Sequence, residues 1–267
     1  LRLNPNPGQI RFQTFPIMGI EVMSASTSHV FPRHTHDQYG IGVVDHGGHA
    51  SLSDRGQVEA GPGSLICVNP GEVHDGRPAG SESRSWRILY LEPARMHELH
   101  ADITEGAHQE LRLAAPVFVD EPLRALFNRT FASQDPLECE SALLLMIARL
   151  RAKWTLRSRG PGAAGSTMRA RELIDSDPGA RHTLTAMAAQ TGLSRYQLLR
   201  GFVRETHLTP HAYVLQRRIA LARRMIRRGH ALAEVALATG FFDQSHLSHC
   251  FARQFGVSPR RYAAQCR

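Results

Sequence analysis

The sequence predicts an α+β chain of two domains: a small β-barrel or sandwich with a helical extension, then an all-α domain holding two helix-turn-helix motifs. Three observations carry that expectation. At 267 residues the chain is longer than a typical small domain and suits two, each able to bury its own core. Its first third breaks into short runs of alternating or β-branched character between glycines and prolines. Its last hundred residues contain one helical pattern twice.

The β region lies between residue 8 and about residue 92, in GIEVMSAST, QYGIGVVDHG, HASLSDRG, QVEAGPG, SLICVNPG and RSWRILYLEP. Short strands with frequent turn signals indicate an all-β sandwich or barrel. From 94 to 157 the apolar spacing lengthens to that of helices in PARMHELHADI, DEPLRALFNRTFASQ and PLECESALLLMIARLRAKWTL. Pro122 and Pro136 fall near helix starts, where a missing N–H is tolerated. Leu143, Leu144, Leu145, Ile147 and Leu150 offer more apolar surface than a small barrel needs to cover itself. This segment is therefore expected to join two copies into a homodimer, with plain packing on the barrel as the alternative. SRGPGAAGST, 158–167, has no apolar period and reads as a linker, dividing the chain into domains 8–157 and 168–267.

Apolar residues make up 42% of the chain, and no apolar run reaches the roughly 18 residues of a membrane span. No membrane partner is expected, and the opening LRLNPNPGQIRF lacks the pattern of a secretory signal, so the expected compartment is the cytoplasm. Cys67, Cys139, Cys250 and Cys266 are scattered without a CxxC pair, against a disulfide framework or thiolate zinc site. Charge is distributed unevenly. The net +8 combines −2 over residues 1–167 with +10 over 168–267, where 16 arginines face 6 acidic residues. A basic module beside a neutral one is what docking on a polyanion such as double-stranded DNA requires.

The helical repeat sets LTAMAAQTG (184–192) against LAEVALATG (232–240), each a short helix ending at a glycine that can take positive φ. SRYQLLRGFVRETHLTP (194–210) then aligns without a gap on DQSHLSHCFARQFGVSP (243–259). Ser194 and Asp243 stand as N-caps, Gln197 completes a capping box, and Leu198/Phe202 and Leu247/Phe251 form the buried face at i, i+4. Subtracting those positions leaves Arg195, Tyr196, Leu199 and Arg200 outward in the first copy. In the second it leaves Gln244, Ser245, Ser248 and His249, with His246 beside them. These are side chains that reach base edges and phosphates from a recognition helix in a major groove. His246, His249 and Cys250 also lie within one helical turn, a spacing that metal ligands use. The sister copy, however, places Arg200 and Gly201 in the slots of His249 and Cys250, so no metal is expected there. TPHAYVLQRRIALARRMIRRG (209–229), with a Thr cap, a first-turn proline and six arginines, should form the rigid helix that separates the two readers.

Residues 168–267, through TGLSRYQLLRGF and GFFDQSHLSHCFARQFGVSPRRY, resemble the DNA-binding domain of the AraC/XylS family of transcription regulators. The resemblance implies a DNA-binding regulator, in most cases an activator, whose base-reading residues fall at Tyr196, Leu199 and Arg200 and at Gln244, Ser245, Ser248 and His249. This chain departs from the family pattern at Leu199, which cannot hydrogen-bond a base, and at His249, where arginine is usual. RNA polymerase is the further partner implied.

FPRHTHDQYG and NPGEVHDG are the loudest segments of the β region. His34 and His36 alternate onto one face of a strand and His74 follows a Pro-Gly turn. Three converging imidazoles would suit zinc, iron or manganese. The arrangement resembles a cupin, the type of effector domain common in the same family. A metal-binding cupin would add a Glu soon after the second histidine, where Gly40, Ile41, Gly42, Val43 and Val44 stand instead. The expectation is thus a cofactor-free, metal-free pocket for a small organic effector contacted by His34, His36, Tyr39 and His74, with Arg33, Asp37 and Glu72 at its mouth. The alternative is a metal-dependent cupin enzyme or metal sensor fused to the DNA-binding module.

Overall fold

A computed structural model describes residues 8–53, 56–80, 83–104, 111–133, 135–156 and 167–266. The chain divides into two compact units at residues 158 and 159. Residues 158–166 of the expected linker lie outside the described residues.

Among the described residues the first unit opens with strands β1 (Gln9–Thr14), β2 (Ile20–Thr27), β3 (Phe31–His34), β4 (Tyr39–His46), β5 (His49–Ser53), β6 (Gly56–Ala60), β7 (Leu65–Val68), β8 (His74–Pro78) and β9 (Arg84–Leu91). Helix α1 (Pro93–Ile103), strands β10 (Arg112–Leu113) and β11 (Val117–Phe118), helices α2 (Glu121–Ala132) and α3 (Pro136–Trp154) and strand β12 (Thr155–Leu156) follow. A six-stranded sheet in the order β1-β2-β9-β4-β7-β11 is accompanied by a four-stranded sheet in the order β3-β8-β5-β6, and β10 pairs with β12.

The two faces of β9 show how alternation sorts the unit. Leu89 and Leu91 join the apolar core made with Leu99, Phe127, Leu143, Met146 and Leu150 of the helices. Arg84, Trp86, Ile88 and Tyr90 point the other way, toward the smaller sheet, where Phe31 meets Trp86 edge-on at 5.9 Å and His36 meets Tyr90 at 5.2 Å. β9 lies between β2 and β4, with Trp86 opposite both Ala25 and Val44. Close approach is enforced at Gly42, where a Cβ would come within 2.7 Å of the Arg87 carbonyl oxygen and 3.0 Å of Ile66.

Asp120 and Asp135 cap α2 and α3 by accepting from the backbone N–H of Leu123 and Glu138, just before the prolines that mark the starts. Asp120 also accepts from Arg149 Nε at 2.7 Å and Trp154 Nε1 at 3.2 Å, tying both ends of the hairpin. The apolar surplus expected of α3 is smaller than its sequence implies. Leu143, Ile147 and Leu150 are fully buried within the unit, leaving Leu145 and Leu137 as its exposed leucines.

The second unit is helical: α4 (Met168–Ser176), α5 (Leu184–Thr191), α6 (Arg195–Thr206), α7 (Pro210–Arg227), α8 (Leu232–Ala238), α9 (Gln244–Phe255) and α10 (Pro259–Gln265). α5–α6 and α8–α9 are the two copies of the repeat. Ser194 and Gln197 make the reciprocal capping box, and Asp243 accepts from the His246 N–H at 2.7 Å. Gly192 and Gly240 take φ of +68° and +74° at the turns. Leu198, Phe202, Leu247 and Phe251 are completely buried, each burial favouring the folded state by about 1.5–3 kcal/mol.

Candidate functional site

The buried Leu/Phe pairs fix which face of α6 and α9 is left over. Arg195 and Arg200 are exposed on α6, and Leu199 is half-buried. On α9, Gln244, Ser245, His246 and His249 are exposed and Ser248 is half-buried. The side chain of Tyr196 lies outside the described residues. His246 sets its ring edge-on to Phe241 at 5.2 Å, so it braces the turn as well as facing outward.

The small-residue slot also has a physical cause. A Cβ at Gly201 would stand 2.9 Å from Thr167 Cγ2, and in the second copy the matching Cys250 is half-buried, its thiol pKa raised by burial. His246, His249 and Cys250 do not converge: among the described residues the one grouping of three donors is elsewhere in the chain.

The arginines of α7 divide into two sets. Arg224, Arg227 and Arg228 are exposed. Arg217 pairs with Asp175 at 2.8 Å, and the Arg223 guanidinium lies 5.3 Å from the Phe255 ring centre. Arg218 donates to three carbonyl oxygens, of Pro178, Ala180 and Gly240, at 2.6–2.9 Å. It holds the turn of the second motif against the loop after α4, at a point where a Cβ on Gly240 would be 2.4 Å from the Gly179 carbonyl oxygen. Three of the six arginines of this segment therefore serve to fix the joint.

In the barrel, β3 and the loop after it carry His34 and His36 while β8 begins with His74, opposite His34 in register. Their potential ligand atoms all lie within 4.8 Å of one another. Ring centres are separated by 4.8 Å (His34–His36), 4.5 Å (His34–His74) and 5.1 Å (His36–His74). Burial, reinforced by the neighbouring ring of His74, lowers His34 to about 3; burial lowers His74 to about 4; His36 moves in the same direction for the same reason. All three are neutral at physiological pH, with lone pairs available.

Tyr39 is not brought to this cluster. Its hydroxyl donates to the Leu111 carbonyl at 2.7 Å on the helix-facing side of the sheet, because residue 39 has the opposite parity to the barrel-facing Gly40 and Gly42 of β4. Arg33 is exposed, Asp37 half-buried, and Glu72 accepts from Asn69 Nδ2 at 2.9 Å within its own loop.

The structure adds interior residues that sequence reasoning missed. Arg84 is 1% exposed, donates from Nε to His49 Nδ1 at 2.9 Å and from Nη1 to the His29 carbonyl, and lies 4.7 Å from the Trp86 ring centre. Its Nη2 has no hydrogen-bond partner among the described residues, and burial lowers its pKa to about 10. The alternation in RSWRILYL held the signal, since it puts Arg84, Trp86 and Tyr90 on one face.

The AraC-like ligand binding domain model matches residues 18–150, and a helix-turn-helix domain model matches 187–265. The chain belongs to the AraC family of transcriptional regulators. Among curated relatives it is similar to the uncharacterized regulator YbfI of Bacillus subtilis, 27% identical over 81% of each chain. The transcriptional activator RhaS of Escherichia coli is 26% identical over 86% of each. The crystal structure of apo ToxT K231A from Vibrio cholerae shares the fold with a TM-score of 0.65 at 12% identity, over 95% of this chain and 100% of that one. This AraC-family chain is accordingly a DNA-binding transcriptional regulator with an N-terminal domain of the ligand-binding type. No helix among its described residues is long and apolar enough to cross a membrane.

Proposed function

We propose that this regulator reads DNA through Arg195, Tyr196, Leu199 and Arg200 of α6 and Gln244, Ser245, His246, Ser248 and His249 of α9. A small molecule held in the barrel at His34, His36 and His74 biases that reading, so that the protein acts as a cytoplasmic, homodimeric activator in contact with RNA polymerase rather than as an enzyme. The observation that carries the proposal is the pair of exposed polar faces on two copies of one motif, joined by a helix whose inner arginines stiffen the junction. Two readers on one rigid module can enter successive major grooves if they lie about 34 Å apart. Activation is favoured by the likeness to RhaS, named a transcriptional activator, and a small effector by the ToxT structure bound to an unsaturated fatty acid.

Selection of duplex sites by the full chain from random sequence tests the reading. Two preferred segments about one helical turn apart are expected, with affinity falling steeply as salt rises. Arg200→Ala should weaken binding to the selected site by roughly 1–3 kcal/mol and relax preference at one base pair. Absence of any preferred sequence would overturn the proposal, and an unchanged preference in the variant would remove Arg200 from the readers.

A further inference from the structure

Two arginines of β9 are buried to a similar degree and satisfied in opposite ways. Arg87, 7% exposed, donates from Nε and Nη2 to the two carboxylate oxygens of Asp45 at 2.8 and 2.6 Å, and from Nη2 to Asn128 Oδ1 at 2.9 Å. Arg84, 1% exposed, has no such counterion: among the described residues it donates to the His49 ring and to the His29 carbonyl oxygen, and its Nη2 bonds to nothing. A guanidinium stays charged in a protein interior, so Arg84 is a cation taken out of water with no anion to offset it. Its position 4.7 Å from the Trp86 ring centre relieves only part of that penalty. Arg84 also sets the tautomer of His49. Arginine Nε only donates, so His49 Nδ1 holds a bare lone pair and, the ring being neutral, Nε2 holds the hydrogen. The two remaining donors border one spot. A Cβ at Gly76 of β8 would stand 3.5 Å from Arg84 Nη2 and 3.7 Å from His49 Nε2. Gly76 shares a strand face with His74 and is opposite Phe31 of β3, so the spot belongs to the barrel interior.

We propose that Arg84 and His49 form an anion subsite of the barrel, and that the effector is a small organic acid whose carboxylate binds there. The inference rests on the barrel being the effector site and names the chemical class of its ligand. One carboxylate oxygen accepts from Arg84 Nη2 and the other from His49 Nε2, supplying the counterion that Asp45 supplies to Arg87. Charge-assisted bonds of this kind are short and strong, the more so in a site shut off from water. The donors also set the charge of the ligand. Two of them suit a single carboxylate, whereas a phosphate dianion would bring more oxygens and a second charge that nothing else at the spot offsets. Phe31 and Trp86, edge-on at 5.9 Å and both beside the Arg84 guanidinium, give the carbon skeleton of the acid an apolar wall. Gly76, lacking a side chain, leaves the spot between the donors clear.

The experiment titrates the full chain with benzoate and with hexanoate, one aromatic and one aliphatic acid, each set against its uncharged amide, with calorimetry and tryptophan emission as readouts. At least one acid is expected to bind roughly tenfold or more tightly than its amide, and the pair distinguishes an aromatic from an aliphatic skeleton. Arg84→Gln should lower the affinity for the acid by roughly tenfold or more and leave that for the amide unchanged. Gly76→Ala, which sets a methyl group on the spot, should also weaken the acid with Arg84 still in place, and it carries the test if Arg84→Gln does not fold. Melting curves by circular dichroism and tryptophan emission serve as folding controls. Failure of both acids to bind at millimolar concentration, an amide bound as tightly as its acid, or undiminished affinity in the folded variants overturns the inference. An amide that binds equally well would still leave the barrel as the effector site. The DNA-reading proposal would survive every one of these results, because site selection is measured without added acid.

Discussion

The two units keep their chemistry in opposite places. In the helical unit the proposed DNA-reading side chains are what remains after the core is subtracted, and they stand on the surface. In the barrel the proposed effector contacts lie inside, contributed by β3 with the loop after it and by β8, and meet only when the sheets close. A surface reader can be deduced from one helix at a time, because periodicity alone decides which residues point out. An interior site depends on register between strands distant in sequence, which one strand's pattern does not contain.

The largest expected effect separates the units outright. Phe251 is fully buried, 4.6 Å from the Phe255 ring and 5.4 Å from that of Tyr262. Phe251→Ala should cost about 3–5 kcal/mol, a large part of the stability of a small helical unit. The chain's two tryptophans, Trp86 and Trp154, both lie in the first unit, so tryptophan emission reports the barrel while circular dichroism reports the helices as well. DNA binding should be lost with the tryptophan melting curve unmoved. A parallel shift of both signals would mean that the units unfold as one.

Acid should act the other way round. His49, packed on Trp86 and bonded to Arg84, has its pKa lowered to about 3, first by burial and then by the charge of Arg84. The folded value lies below the unfolded value of about 6.5, so the unfolded chain binds the extra proton between the two. The stability involved is present above pH 6.5 and lost as pH falls toward 3, with a limiting slope of about 1.4 kcal/mol per pH unit for one proton. With chelator present, the tryptophan transition should drop between pH 6.5 and 4.5. His34, His36 and His74, also lowered by burial, lose stability over the same window, so His49→Gln should reduce the slope by one proton's share and leave the rest, and an unchanged slope would clear His49 of responsibility.

What the sequence shows and hides follows the same division. The twin motif, both caps, the buried Leu/Phe pairs and the proline-marked starts of α2, α3 and α7 are all local, and all are found where the residues predict. The convergence of His34, His36 and His74 is expected from their two loops and is found, whereas Tyr39, expected in the same pocket, is not there. One residue of parity sends its side chain into the helical core. Arg84 is a different case: the alternation in RSWRILYL puts it on one face with Trp86 and Tyr90, but that a second sheet covers this polar end of the strand is not written in the strand itself. On α7 the arginines look alike in sequence, and only packing separates Arg218, which bonds three carbonyls, from Arg227, which faces water.

The smallest effect compares the two copies of the motif with each other. Ser194 caps α6 with a neutral hydroxyl, 3.2 Å from the Gln197 N–H, inside a box closed by Gln197 Oε1 at 2.9 Å from the Ser194 N–H. Asp243 caps α9 with a single carboxylate contact of 2.7 Å. Replacing either by alanine should cost about 1 kcal/mol. The origin of that energy differs, because a carboxylate also interacts with the positive end of the helix dipole, by roughly 0.3–1 kcal/mol at low ionic strength. The cost of Asp243→Ala should therefore shrink as salt is raised, while that of Ser194→Ala should not. Asp243→Asn, which keeps the acceptor and removes the charge, should recover most of the loss at high salt and less of it at low salt. Thermal unfolding followed by circular dichroism at two ionic strengths measures all three variants. Equal salt dependence at both caps would show that hydrogen bonding alone sets the starts of the reading helices.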